Sequence, residues 1–202
     1  MNPDERKLQI LQCAKKLFSK NGYYETQISD IVDEAGIARG TIYQYFKNKD
    51  EIFATLFENF YKKWERMISE TESSIDLKNV TPHDYLKSRI KSSLYFFASD
   101  NEMCNIVLRM GVGINKNFDS VQKKLEKKIF NVITNDLKIG QQFKNISMDI
   151  DTQLFANIFT GALFRIAYYY FVVHKTQKES HDIDLLADKV VSLYSPGLFL
   201  KK

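Results

Sequence analysis

Cysteine is scarce in this chain: Cys13 and Cys104 are the only two in 202 residues. Two distant cysteines exclude a disulfide framework and a CxxC-type zinc or redox motif. With the charged start MNPDERK, which lacks the apolar run of a targeting segment, they fit free thiols in a reducing cytoplasm. Proline (3) and glycine (8) are also few, which argues against a many-turned β fold and favours long helices. Neither charge sign dominates: Lys and Arg total 29 against 25 Asp and Glu, and the net +4 does not by itself announce a nucleic-acid partner. His83, His174 and His181 show no metal-ligand spacing, and no nucleophile elbow, phosphate loop or paired-carboxylate motif is present. The expectation is therefore no metal, no cofactor and no enzyme activity. There is no internal repeat and no low-complexity tract. What is abundant is apolar: 44% hydrophobic residues, with 15 Phe and 11 Tyr, enough to exclude disorder and to build a real core.

The chain is organised around the stretch from Thr26 to Lys49, TQISDIVDEAGIARGTIYQYFKNK. Ile28, Ile31, Val32 and Ala35 fall at i, i+3, i+4 and i+7, one apolar helical stripe. Thr26 precedes the stripe at a capping position, and Gly36 follows it where a helix ends in a left-handed residue. A further helix is predicted from near Ala38, with Ile42 and Phe46 inward. Arg39, Thr41, Tyr43, Gln44 and Tyr45 are then left on its other faces. Residues 1–49 hold eight cations and six acids, and three of those cations (Arg39, Lys47, Lys49) lie where no acid interrupts. Clustered cations release counterions from phosphate and supply non-specific affinity for DNA. A short helix that hides two apolar residues and shows Arg, Thr, Gln and two Tyr suits a DNA groove.

Helix, tight turn and helix at this place resemble the helix-turn-helix of the tetracycline-repressor-like (TetR/AcrR) family of bacterial transcription regulators. The resemblance starts near Arg6. It is carried by Ile10, Leu11, Ala14, Leu17 and Phe18 in the first helix, then Gly22-Tyr23, Thr26, Ile31, Ala35-Gly36-Ile37, Gly40-Thr41, Tyr43, Tyr45-Phe46, Lys49 and Phe53. It implies an all-α chain of about nine helices. A three-helix DNA-binding domain would occupy residues 1–49 (motif about 27–46), and a helical ligand-binding and dimerisation domain residues 50–202. The function implied is a cytoplasmic, homodimeric, ligand-released repressor on a pseudo-palindromic double-stranded operator. Arg39 is the expected base reader, since its fork matches O6 and N7 of guanine, and Gln44 is a second reader. Gly40 lets the backbone approach DNA. Thr41, Tyr43, Tyr45 and Lys49 are expected on phosphates, with Thr26 and Gln27 at the start of the second helix. Ala38 departs from the Ser or Thr frequent in the family, so no side-chain cap is expected there.

Beyond that stretch the argument rests on periodicity. Helices are expected at 4–20, at 50–73 (connecting the two parts), at 82–99 after a linker at 73–84, at 102–111, at 117–138, at 151–174 and at 182–195. Gly111-Val112-Gly113 reads as a joint, Gly140 as the end of the seventh helix and Pro196-Gly197 as the stop of the ninth. The eighth helix is apolar for nearly a membrane span. Arg165 near its middle is costly in lipid, so burial on nearly all sides is expected instead. In the resembled family the last two helices pack on those of a second subunit, which implies dimerisation through about 151–174 and 182–195. The family's C-terminal bundle also encloses a small-molecule pocket. Phe60, Trp64, Phe97, Phe164, Arg165 and Tyr168 are the candidates to line one here, for an effector that is apolar or aromatic. A competing function is a helical small-molecule-binding protein whose DNA-binding module is vestigial.

Overall fold

In the computed structural model, which describes residues 2–76, 79–109, 116–174 and 182–199, every regular element is a helix. The joint at Gly111-Val112-Gly113, His181, and the side chains of Val121 and Leu125 lie outside the described residues. In order the helices are α1 (Pro3–Asn21), α2 (Ile28–Ala35), α3 (Arg39–Ile42), α4 (Lys49–Ser74), α5 (Pro82–Ala98), α6 (Asn101–Arg109), α7 (Lys116–Gln142), α8 (Thr152–Tyr168) and α9 (Ile183–Leu198). A π-helical turn, Tyr169–Val173, follows α8 and is closed by an i→i+5 bond from the His174 N–H to the Tyr169 carbonyl at 3.0 Å.

The expected stripe of α2 is inside: Ile31, Val32 and Ala35 are buried. Gly36 ends the helix at φ 60°, ψ 39°, the left-handed conformation that glycine takes without a Cβ clash. Thr26 does not cap α2. Gln27 occupies the N-cap position, and its N–H donates to Asp30 Oδ2 at 2.7 Å. Thr26 is instead fully buried and donates to the Gly22 carbonyl at 2.8 Å, which closes the α1–α2 turn. Helix α3 is a single turn. Ile42 and Phe46 are buried as expected, yet beyond Ile42 the chain follows looser turn bonds. Thr41, Ile42 and the following aromatics lose side-chain freedom in a helix and propagate one poorly.

Helix α4 is the long strut. Asn48 caps it by accepting from the Glu51 N–H at 2.9 Å, and Asp50 and Glu51 suit its positive end. Its 26 residues span about 39 Å. Near its start, Phe53 is fully buried between Phe18 (5.2 Å between ring centroids), Tyr23 (4.8 Å) and Phe57 (4.9 Å). One continuous hydrophobic core runs from Ile10 in α1 through α4–α8 to Val191 in α9. Helix α6 touches α1 directly: Lys15 pairs with Asp100 at 2.9 Å, and Asn105 Nδ2 donates to the Ser19 carbonyl at 2.8 Å.

Three helices differ from expectation, two of them at their ends. Helix α7 runs through Gly140 because Ile146 folds back over it. A Cβ at Gly140 would lie 2.6 Å from Ile146 Cδ1, so the glycine makes room for a neighbour and does not terminate the helix. Helix α9 contains Pro196, since one proline near a C-terminus forfeits a single bond while Leu198 is held in a small cluster with Leu137, Ile146 and Ala156. Helix α8 is not buried on all sides. It is long and apolar enough to cross a membrane by length and composition, but only 28% of its most apolar window is buried.

Lys49 is expected on phosphate, but its ammonium is engaged within the protein. Nζ donates to the carbonyls of Tyr23 and Thr26, each at 2.8 Å, and sits 4.3 Å from the Tyr23 ring centroid. Burial pulls its pKa below the usual lysine value. Tyr23 in turn donates to Asp50. The α1–α2 turn is thus pinned to the first turn of α4. Lys49→Met is expected to cost about 1–3 kcal/mol by leaving these carbonyls without a donor. A fall in urea midpoint at constant m-value would show it.

Candidate nucleic-acid interface and ligand cavity

The surface beyond the α1–α2 turn is built from α2 and α3. Gln9 Nε2 donates to the Ala35 carbonyl at 2.9 Å, and Lys16 pairs with Glu34 at 2.5 Å, so α2 is fixed against α1. Ile42 and Phe46 anchor the next stretch, which places Arg39, Gly40, Tyr43 and Gln44 on the outside. Tyr43 is 49% exposed, whereas Tyr45 is half-buried against the core, and Thr41 is half-buried. Ala38 is the N-cap of α3 and makes no side-chain cap bond, as its methyl group requires. Gln27 is exposed at the start of α2.

Two of the expected contacts do not reach this surface. Thr26 is closed off with its hydroxyl already bonded, and the Lys49 ammonium is committed to carbonyls. Sequence periodicity counts which positions face outward but not which polar side chains the turn needs for itself. The structure therefore gathers Gln27, Arg39, Gly40, Tyr43 and Gln44 on one exposed surface, with Thr41 and Tyr45 at its inner margin.

A second candidate site lies in the C-terminal bundle, where α4, α5, α7 and α8 meet. A cavity of about 40 Å³ is lined there by Trp64, Phe97, Ile129, Phe159, Leu163 and Phe164, among others, with Arg89, Ser93 and Asp136 as its polar members. Trp64, Phe97 and Phe164, three of the candidates for a ligand pocket, are in this lining. Phe60 is not in this lining; it packs on Phe96 with ring centroids 4.6 Å apart. Arg165 is exposed on the far side of α8, its guanidinium 5.7 Å from the Tyr168 ring centroid, and neither residue lines the cavity. The reason is angular. Adjacent helical residues point about 100° apart. The inner stripe is Ala156, Phe159, Leu163 and Ala167, so Phe164 lies on its flank and Arg165 is turned outward.

The charged residues of the cavity, Arg89 and Asp136, are ones the sequence reading missed. Arg89 is 8% exposed. Its Nε donates to Asp136 Oδ2 at 2.9 Å and its Nη2 to Glu72 Oε1 at 3.1 Å, while the Tyr85 hydroxyl donates to Asp136 Oδ1 at 3.0 Å. Burial alone would favour loss of the guanidinium proton, but Asp136 and then Glu72 outweigh it and hold the pKa above its ordinary value. Burial first, then Asp136, raises that of Tyr85, which stays neutral. A signal was present: Arg89 and Ser93 stand three and seven residues after Leu86, on the inward stripe that continues through Ile90 and Leu94. Burial pushes the Cys104 thiol up to about 12 and also raises that of Cys13, which disfavours the thiolate of both. No cluster of metal-ligating side chains occurs among the described residues.

Comparison with known proteins finds relatives for the N-terminal module and for the chain as a whole. The model of the family "Bacterial regulatory proteins, tetR family" matches residues 10–56, from α1 into α4. Over 196 residues the chain is 29% identical to the fatty acid metabolism regulator protein of Bacillus subtilis (strain 168), covering 96% of each. Over 65 residues it is 45% identical to the HTH-type transcriptional regulator HbdR of Aromatoleum sp. (strain CIB), a match to 32% of this chain and 28% of that one. The fold is similar, at a TM-score of 0.76 and 26% identity, to the transcriptional regulator FadR from Bacillus subtilis in complex with stearoyl-CoA, covering 94% of this chain and 98% of that one. With its outward helix-turn-helix set on a strut that enters a helical bundle, and with relatives alike from end to end, this protein is a DNA-binding transcription regulator of the tetR family.

Proposed function

We propose that the chain is a homodimeric, cytoplasmic repressor that leaves its operator when a long apolar ligand enters the α4–α5–α7–α8 cavity. The observation that carries this reading is the double attachment of α4. Its first turn holds the DNA-binding surface through Lys49 and Phe53, and Trp64 and Ile68, further along the same helix, line the cavity. At about 40 Å³ the cavity takes little more than a water-sized group. A chain-like ligand must therefore part Trp64, Phe97 and Phe164, and that displaces α4. Coupling between two sites is reciprocal, so operator DNA weakens the ligand by the factor by which the ligand weakens DNA. The ligand class is a long-chain acyl compound, supported by the end-to-end similarity to a fatty acid metabolism regulator and to a FadR bound to stearoyl-CoA. On this reading residues 1–49 are the DNA-binding domain and 50–202 the ligand-binding and dimerisation domain, with no enzyme activity.

Arg39 reads base edges with Gln44. Gln27, Gly40, Thr41, Tyr43 and Tyr45 meet the backbone and fix register. A second copy covers the outer faces of α8 and α9, where Leu154 (58%), Ile158 (55%), Leu185 (51%) and Leu193 (79%) are exposed together. A dimer of this kind spaces two recognition helices about one DNA turn apart, roughly 34–36 Å.

Gel shifts on the DNA upstream of the protein's own gene test the reading. A discrete complex is expected, and a salt-sensitive smear would favour a ligand-binding protein with a vestigial module. Arg39→Ala is expected to cost about 1–3 kcal/mol per contacted guanine and to erase the preference for operator over random DNA; full preference in that variant would remove Arg39 from the reader role. Ile158→Glu combined with Leu193→Glu is expected to give monomers in light scattering and to weaken operator binding.

A further inference from the structure

Arg89 has five N–H donors and only part of them are used. Nε is bonded to Asp136 and Nη2 to Glu72. Nη1 is sealed from solvent and has no partner, although Arg89 lines the cavity. A buried donor left unsatisfied on a charged group is costly, and native proteins supply such groups with a partner. The rest of the lining, apart from Ser93 and Asp136, is apolar, so a partner for Nη1 would come with a ligand that parts the lining and widens the cavity.

Charge decides what that partner is. Around the single guanidinium stand two carboxylates, Asp136 at 22% side-chain exposure and Glu72 at 55%, and the Tyr85 hydroxyl donates to Asp136. The guanidinium is thus already neutralised. A ligand carboxylate would enter a low-dielectric space beside Asp136 and meet a like charge. A carbonyl oxygen accepts from Nη1 without bringing charge. Resting on the proposed function, we infer that Arg89 is the recognition residue of the cavity and that its Nη1 takes the neutral carbonyl oxygen of an acyl thioester or ester, in preference to a free carboxylate. The same three ionic groups belong to α4 (Glu72), α5 (Arg89) and α7 (Asp136), so a ligand seated on Nη1 touches the junction that holds the far end of the strut.

Trp64, the single tryptophan, lines the cavity and supplies the readout. The full chain is titrated by fluorescence at pH 8 with stearoyl-CoA, with methyl stearate delivered from cyclodextrin, and with stearate. The thioester and the methyl ester are expected to bind at least about tenfold more tightly than the carboxylate. Arg89→Met with Asp136→Asn removes the donor together with the carboxylate it would orphan. In that variant, thioester and ester affinities are expected to fall at least about tenfold while its helical circular dichroism matches that of the wild type. Should it fail to fold, Arg89→Lys keeps the charge beside Asp136 and lacks Nη1, and the same loss is expected. Wild-type affinities in a folded variant, as a water resting on Nη1 would give, overturn the Arg89 assignment alone. Stearate binding as tightly as its methyl ester overturns the neutral-carbonyl claim. If no eighteen-carbon compound perturbs Trp64 in the wild type, the acyl reading of the cavity falls with both.

Discussion

Everything distinctive about this molecule hangs on a helix that is tied near both ends by charged hydrogen bonds. At its beginning, the Lys49 ammonium takes carbonyls from the preceding turn; near its end, Glu72 takes a donor from Arg89. Between these points α4 runs without a break and buries Phe53, Phe57, Phe60 and Trp64 in turn. Such bonds tolerate little displacement, because the energy of a charged hydrogen bond falls quickly with distance and angle. The helix therefore moves as a unit or not at all. A loosely attached strut would let the bundle deform while the DNA-binding surface stayed where it was.

Both anchors consume charges that composition alone assigns elsewhere. Of the three cations in the acid-free run from Arg39 to Lys49, Lys49 is taken inward, which leaves Arg39 and Lys47 outward on that segment. That exposed segment is accordingly lean in charge, with two cations left to face outward. Surface pairs elsewhere, such as Lys87–Asp188 and Lys91–Asp184 between α5 and α9, are screened by solvent and contribute little.

The three-helix module was legible because its signals are local. The stripe at Ile28, Ile31, Val32 and Ala35, the left-handed Gly36 and the uncapped Ala38 each follow from a few neighbouring residues. Thr26 and Lys49 were placed on the wrong side of the surface because their partners are backbone carbonyls four and more than twenty positions away. The long helices were legible too, but their ends were not. Gly140 and Pro196 look like terminators until Ile146 and the small cluster around Leu198 are in place. The cavity charge was misassigned for a related reason. Arg165 stands out in an apolar sequence and Arg89 does not, and an amphipathic pattern cannot say whether a lone polar residue marks an outward face or a solvated pair inside. The outward face of α8 was the less visible fact, since a helix apolar on both sides can be covered by its own chain or by another.

The turn at Tyr169–Val173 gives α8 a property that a regular helix lacks. Its interior residues Leu163, Ala167 and Phe171 recur every fourth position, and in a straight α-helix such a run would drift around the axis by about 40° at each step. Winding on i→i+5 bonds takes up that drift and keeps Phe171 in the core. The chain thereby stores one surplus residue at the end of the helix, next to α6. Surplus length is slack: it lets the exposed start of α8 and its end beside α6 answer to different surroundings, without either dictating the register of the other.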